Sequence, residues 1–352
     1  MVIKSDPLLP YFEALPKVEL HLHMEGAIRP ETLLRLADRN HLRLPFTNPD
    51  QWQQFCIYRN FGDFAKALLT GVRCLQQPED FFDLIIDIGQ HLAEQNILYA
   101  EVTWTPQFYI NRTQSLEVIF DALNEARRQI CSQFGVDIRW IPDLVRSFPD
   151  PAWAITKWAS QPDVRSAGVV ALGLGGPEAG HPASGFAAQF EYARAQGLPA
   201  NPHTGEGMGA EGIWETIKSL KPTRLGHGVR AIEDQNLVAY LASHAIPLEV
   251  CLTSNVMLGV FPSYAEHPVK RLIDAGCAVS LNSDDPILFQ TTLAQEYVHA
   301  VRRCGLDIQD VKQAILSAIR FSYLPADEKL LMQEKFQREF IAVDSAFSTD
   351  LS

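Results

Sequence analysis

Two histidines separated by one residue, His21 and His23, close the apolar run VELHLH. Residues i and i+2 of a strand point to the same face, so the two imidazoles can bind one metal ion. Three later segments carry groups of the same kind: His203-Thr204-Gly205-Glu206, Leu225-Gly226-His227-Gly228 and Asn282-Ser283-Asp284-Asp285-Pro286. Each is bracketed by the glycine or proline of a turn. His21, His23, His203 and one aspartate offer three nitrogens and one oxygen. That donor set suits Zn²⁺, whereas Ca²⁺ and Mg²⁺ prefer oxygen shells. A zinc site with one position left for water lowers the water's pKa to about 7 and yields a hydroxide nucleophile. Glu206, three residues beyond a proposed ligand, is placed to exchange protons with a substrate. His227 and Asp285 are left to orient and deprotonate the water.

Positioning these groups takes a fold that gathers several strand ends. Strand-like runs occupy residues 18–23, 97–106, 136–145, 169–176, 198–206, 223–229, 246–255 and 278–286. The intervals read as helices: 233–244 places Leu237, Tyr240 and Leu241 on one face, and 308–320 does so with Ile308, Val311, Ile315 and Ile319. Gly276 reads as a helix stop. Strands alternating with helices imply parallel pairing, and eight units imply an α/β fold of the (β/α)8 TIM-barrel type. Active sites of such barrels lie at the C-terminal strand ends, where the four polar segments fall. Residues 1–352 are expected to form a single barrel domain with an inserted helical segment after the first strand. Within it, residues 52–71 pack as amphipathic helices on the barrel or serve, over roughly 45–75, as a lid using Trp52, Phe55, Tyr58 and Phe61. A two-metal site in many barrel hydrolases needs a carboxylated lysine at the fourth strand end. Here that end reads Leu174-Gly175-Gly176-Pro177-Glu178, with no lysine, so one zinc per chain is expected; Glu178 is a ligand only in principle.

The segments PKVELHLHMEGAIRPETL, HTGEG, RLGHG and SLNSDDP, in this order and spacing, resemble the adenosine/adenine deaminase family of the amidohydrolase superfamily. The resemblance covers most of the chain. It implies a zinc barrel that hydrolyses the 6-amino group of a purine and releases ammonia. By motif, His21, His23, His203 and Asp284 would be the zinc ligands. Glu206 would protonate purine N1, His227 would position and polarise the nucleophile, and Asp285 would hold it and contact N7. The backbone of Gly176 would meet N3. Glu25 stands where adenosine deaminases usually carry the Asp that binds the ribose 5′-hydroxyl, a feature of adenine deaminases and several nucleoside-acting relatives. Gly226 points the other way, because adenine-type members often have Asp there. Thr204 replaces the usual Ala, and residues 252–255 (LTSN) also depart from the commonest wording. The expected substrate is an adenosine-like 6-aminopurine nucleoside; alternatives are free adenine, aminodeoxyfutalosine or an N6-alkyl adenine derivative. A metal-dependent amidase or esterase and a non-catalytic purine-binding barrel are the rival classes.

Composition excludes other roles. Thirty Lys+Arg face 42 Asp+Glu, a net charge of −12, with no basic run. Nucleic-acid and anionic-membrane partners are therefore not expected. The zinc deaminases that act on flipped bases use P-C-x-x-C, which is absent. Six scattered cysteines suggest reduced thiols in a cytoplasm. The start of the chain lacks a signal-peptide pattern, and the tripeptide Asn111-Arg112-Thr113 would go unglycosylated there. Trp104 reads as core, Thr204 as a satisfied structural residue and His181 as a loop histidine. His41, His91, His244, His267 and His299 need no function.

Overall fold

Eight strands run parallel and pair in chain order: β1 (Lys17–His23), β2 (Ile97–Trp104), β3 (Asp137–Val145), β4 (Leu172–Gly175), β5 (Ala200–Thr204), β6 (Leu225–His227), β7 (Leu248–Val250) and β8 (Val279–Leu281). They belong to a computed structural model that describes residues 6–58, 61–110 and 115–348. The ring closes where Leu22 bridges Asp284. There His23 N–H donates to the Asp284 carbonyl (2.8 Å) and Asp284 N–H to the His21 carbonyl (3.1 Å). With helices in the connections, this is a (β/α)8 barrel, as expected. Among the described residues no helix is long and apolar enough to cross a membrane.

The alternation of β1 explains its placement. Val18, Leu20 and Leu22 share one face; Glu19, His21 and His23 share the other, and all but His23 are buried. The strand thus packs apolar groups outward against helices and polar groups into the barrel. Buried polar groups need partners. Glu19 accepts the Ser283 N–H (2.9 Å) and hydroxyl (2.5 Å), tying β1 to the segment after β8.

Every strand except β1 is shorter than its expected run, the last two most of all. After β7 the chain turns at once into the helix Leu252–Met257. The reason is a tertiary contact: Glu296, from the helix Leu293–Arg303, accepts the Thr253 N–H (3.0 Å) and hydroxyl, satisfying a first-turn donor that a helix leaves free. After β8, Asn282 accepts the Leu20 N–H (2.9 Å) and Asp284 takes φ +64, which ends the strand. The helix Ile308–Phe321 buries Val311, Ile315 and Ile319, and Gly276 follows its helix at φ +86, both as expected. In the helix Gln235–Ser243 the inward face is Leu237, Val238 and Leu241. Tyr240 packs half-buried against the core and also stacks on His244, with centroids 3.8 Å apart.

Between β1 and β2 lie the helices Pro30–Arg39, Pro49–Phe55, Phe61–Cys74 and Pro78–Glu94. Trp52 is buried against Phe46. Tyr58 donates to the Leu288 carbonyl (3.0 Å), and Phe64 stacks on Phe289 at 5.2 Å. The inserted segment therefore sits on the residues just beyond Asp285. The Phe61 side chain and Asn111-Arg112-Thr113 lie outside the described residues.

Glu296, 1% exposed, also accepts the Thr291 hydroxyl (2.7 Å). Burial pushes its carboxyl from 4.5 up to about 7. An acid with a raised folded pKa favours folding below its unfolded pKa, and that contribution is lost as pH rises through about 7. Glu296→Gln is expected to shrink the fall in urea midpoint between about pH 5 and about pH 7.5. An unchanged fall would contradict this assignment.

Candidate active site

The donor atoms of His21, His23, His203 and Asp284 lie within 4.8 Å of one another. β1 supplies the first two, the end of β5 supplies His203, and the turn after β8 supplies Asp284. His23 Nε2 and His203 Nε2 are 3.0 Å apart, and Asp284 Oδ1 is 3.3 Å from both His21 Nε2 and His23 Nε2. His21 Nε2 is buried without a well-directed hydrogen bond. A buried set of three imidazoles and a carboxylate aimed at one point fits a divalent cation. Glu249 Oε2 accepts a bond from His21 Nδ1 (2.8 Å), which turns Nε2 toward the cluster. Against burial, Arg224 and His21 hold Glu249 below the ordinary carboxylate range. Burial pushes His23 down to about 4 and His203 well below its usual value. Their lone pairs are therefore free for a metal. Against burial, Asp284 and Glu249 hold His21 up to about 10, so cation uptake would displace a proton there.

The other expected residues surround this cluster. His227 Nε2 lies 3.8 Å from both Glu206 Oε2 and Asp284 Oδ2. His227 (φ +57) and Asp284 (φ +64) both adopt the left-handed backbone that non-glycine residues avoid. Such strain persists where surroundings enforce it, often at functional sites. Burial first, then the charges of Asp284 and Glu178, raise the Glu206 carboxyl. Burial and the neighbouring Asp284 charge push Asp285 well above the carboxylate range. Gly26 is required beside it, since a Cβ there would fall 1.8 Å from Asp285 Oδ1. Glu25 Oε1 accepts the Thr105 N–H (3.0 Å) and the Tyr109 hydroxyl (3.1 Å), while Oε2 is buried without a partner. Gly176, at φ +87, is exposed just past β4. Among the described residues no hydrogen bond ties Glu25 or Gly176 to the donor cluster.

The adenosine deaminase family profile matches residues 16–339. The chain belongs to the adenosine deaminase family. An aminodeoxyfutalosine deaminase of Streptomyces avermitilis is 36% identical over 320 residues, 91% of this chain and 89% of its own. An adenine deaminase of Crocosphaera subtropica is 34% identical over 318 residues, 90% and 97% of the two chains. An amidohydrolase from Burkholderia ambifaria, solved with bound zinc, superposes with a TM-score of 0.89 at 25% identity, covering 98% and 95%. The enzyme is thus a hydrolase of C–N bonds in cyclic amidines.

Several residues around this deaminase-family site take parts that the sequence reading did not assign. Glu178 is no member of the donor cluster. Its Oε1 accepts the N–H groups of Glu206 (2.9 Å) and Gly207 (2.8 Å); its Oε2 accepts the Gly205 N–H (3.0 Å) and the Thr204 hydroxyl (3.3 Å). It clamps the turn that carries Glu206. Three successive N–H groups in a Gly-rich turn make an anion-binding concavity, and that was the available signal. Thr204 is a satisfied structural residue, also taking the Thr216 hydroxyl (3.1 Å). Trp104 is core, edge-on to Trp158. The partly buried His181 gives its carbonyl to Arg146 (3.0 Å). Cys251, whose sulfur could join His227 and Asp284 around a cation, is kept a thiol by burial. Glu249 and His267 lie outside every motif; Arg224 opens RLGHG and Asn255 closes LTSN, but neither received a role.

Proposed function

We propose that this chain is a zinc-dependent hydrolytic deaminase that converts a 6-aminopurine nucleoside to its 6-oxo product and ammonia. The observation that carries the reading is the convergence of three imidazoles and the Asp284 carboxylate with Glu206 and His227 beside them. His21, His23, His203 and Asp284 would hold one zinc, and the zinc-bearing Burkholderia structure supports that metal. Zinc bound there supplies Lewis acidity and a water ionised near neutral pH.

The chain's own residues do the rest. Glu206, whose carboxyl burial raises, donates to purine N1 as water oxygen bonds to C6. His227 orients the attacking oxygen. Asp285, whose raised carboxyl retains its proton, donates to N7, and the Gly176 N–H donates to N3. One water proton then goes to the leaving nitrogen, the other returns to Glu206, the C6–N bond breaks and ammonia departs. Residues 45–75 would cover the purine and exclude water; the Tyr58 and Phe64 contacts to Leu288 and Phe289 support that placement. The six free cysteines support a cytoplasmic location.

Gly226 supports a nucleoside over free adenine. A Cβ at 226 would fall 2.8 Å from His21 Cε1 and 3.2 Å from His203 Cα, so the Asp of adenine-type members has no room. Glu25 favours the second reading, free adenine. Ammonia release from adenine, adenosine, 2′-deoxyadenosine, aminodeoxyfutalosine and N6-methyladenosine decides between them. The nucleosides are expected to exceed adenine by about 100-fold or more in kcat/KM. A preference for adenine would reverse the substrate reading, and no ammonia from any would end the deaminase reading. Elemental analysis finding two zincs per chain would overturn the single-ion site.

A further inference from the structure

A line of buried hydrogen bonds runs away from the reacting face behind His227. Val269 N–H donates to His267 Nδ1 (3.2 Å). His267 Nε2 lies 3.1 Å from Asn255 Oδ1, and Asn255 Nδ2 lies 3.1 Å from His227 Nδ1. His267 is 4% exposed, Asn255 0% and His227 1%, so water cannot substitute for a missing partner. The motif reading gives neither Asn255 nor His267 a role.

We infer that Asn255 and His267 are positioning residues that fix the tautomer of His227, with its proton on Nε2 facing Glu206 and Asp284. The polarity follows from one group that cannot reverse. A backbone N–H only donates, so His267 Nδ1 must accept. Burial pushes His267 down to about 3, which keeps the ring neutral with its proton on Nε2. That proton goes to Asn255 Oδ1, which turns the amide NH2 toward His227. His227 Nδ1 must then accept, and its own proton is left on Nε2. Reversing the amide would set Asn255 Nδ2 against the protonated His267 Nε2. Moving that proton to Nδ1 would set it against the Val269 N–H. Either arrangement leaves facing donors with no acceptor, the costly case in a dry interior.

The consequence concerns catalysis. With Nδ1 accepting from Asn255, His227 presents at Nε2 a hydrogen-bond donor and no lone pair, 3.8 Å from Glu206 Oε2 and from Asp284 Oδ2. It therefore orients the attacking oxygen by donating to it and does not take its proton. Proton acceptance falls to Glu206, a carboxylate once it has protonated N1. This step rests on the deaminase reading above; the tautomer does not.

The test uses the zinc-loaded enzyme labelled with 15N-histidine. Long-range 1H–15N correlation is expected to show His227 with Nδ1 unprotonated and Nε2 protonated, assigned by its loss in His227→Gln. In Asn255→Asp a carboxylate that only accepts faces Nδ1, so the signature should swap. There kcat should fall about 100-fold, the loss typical of one transition-state donor, with KM unchanged. His267→Gln, which keeps a donor near the Nε2 position, should retain the wild-type tautomer and most of kcat, whereas His267→Phe should not. A wild-type His227 protonated on Nδ1 overturns the inference whatever the enzyme's substrate. So does an Asn255→Asp variant that swaps tautomer and keeps full kcat.

Discussion

Glu206→Gln is expected to keep its metal and lose deamination, with kcat down by about 10²–10⁴, the usual contribution of a positioned general acid. The amide has the size of the carboxyl, and the backbone N–H groups of Glu206 and Gly207 stay on Glu178. Glu206 is outside the donor cluster, so zinc content should not change. What the substitution removes is the transferable proton. An aromatic six-membered ring resists addition at C6 unless a ring nitrogen is protonated as the bond forms, and an amide cannot supply that proton at neutral pH. The pH dependence follows with its sign. Burial raises the Glu206 carboxyl, so the acid form persists above the ordinary carboxylate range and its activity is lost as pH climbs through the raised value. The variant's residual rate should lack that alkaline decline. Elemental zinc analysis beside pH-resolved kcat measures both; full activity in Glu206→Gln would remove Glu206 from the mechanism.

Much of this site could be read from sequence because its chemistry is packaged in short strand-end motifs. His21 and His23 share a strand face by period alone, and HTGEG, RLGHG and NSDDP each combine a reactive side chain with its turn residues. The groups behind them could not be read this way. His21 and Glu249 are 228 residues apart, and only barrel closure brings them together. Glu249 lies within an apolar run and His267 beside a proline, with no periodic partner to flag either. Glu178 looked like a remote ligand candidate because sequence shows a carboxylate but not the three N–H groups folded around it. Strand length was overread for a similar reason. LTSN has β-branched character, yet Glu296 from a distant helix supplies the bond that lets Thr253 start a helix. Likewise Val238 joins the buried face beside Leu237 and Leu241, while Tyr240 packs half-buried at its edge, stacked on His244 and tilted against Trp214.

Arg224→Met should be the most destabilising single change considered, and it should loosen the metal site from below. Arg224 is 1% exposed between Glu101 and Glu249, each 0% exposed at the side chain. One guanidinium nitrogen pairs with Glu101; Nε lies 2.6 Å from Glu249 Oε1 as a charge contact, and Nη1 donates to the Phe321 carbonyl (2.8 Å). The Tyr323 ring covers the guanidinium, 4.0 Å from centroid to Cζ. Methionine restores most of the volume, so the packing loss is small. The cation–π contact is worth about 2 kcal/mol at most in such a setting. Leaving two carboxylates buried without their cation dominates, at about 3–5 kcal/mol. Glu249 would escape that cost by taking a proton, and a protonated Glu249 no longer holds His21 Nδ1 as a strong acceptor. Loss of such an outer partner typically weakens metal binding about 10–100-fold. Denaturant unfolding of the metal-free proteins, with competitive zinc titration, separates the two effects. Arg224→Lys keeps the charge without the planar fork and should fall between them. Glu101→Gln added to Arg224→Met should recover part of the stability, since it removes one orphaned charge, but none of the zinc affinity, since Glu249 still lacks its partner. An Arg224→Met variant with wild-type unfolding midpoint and zinc affinity would show that His21 is held without this buried chain of charges.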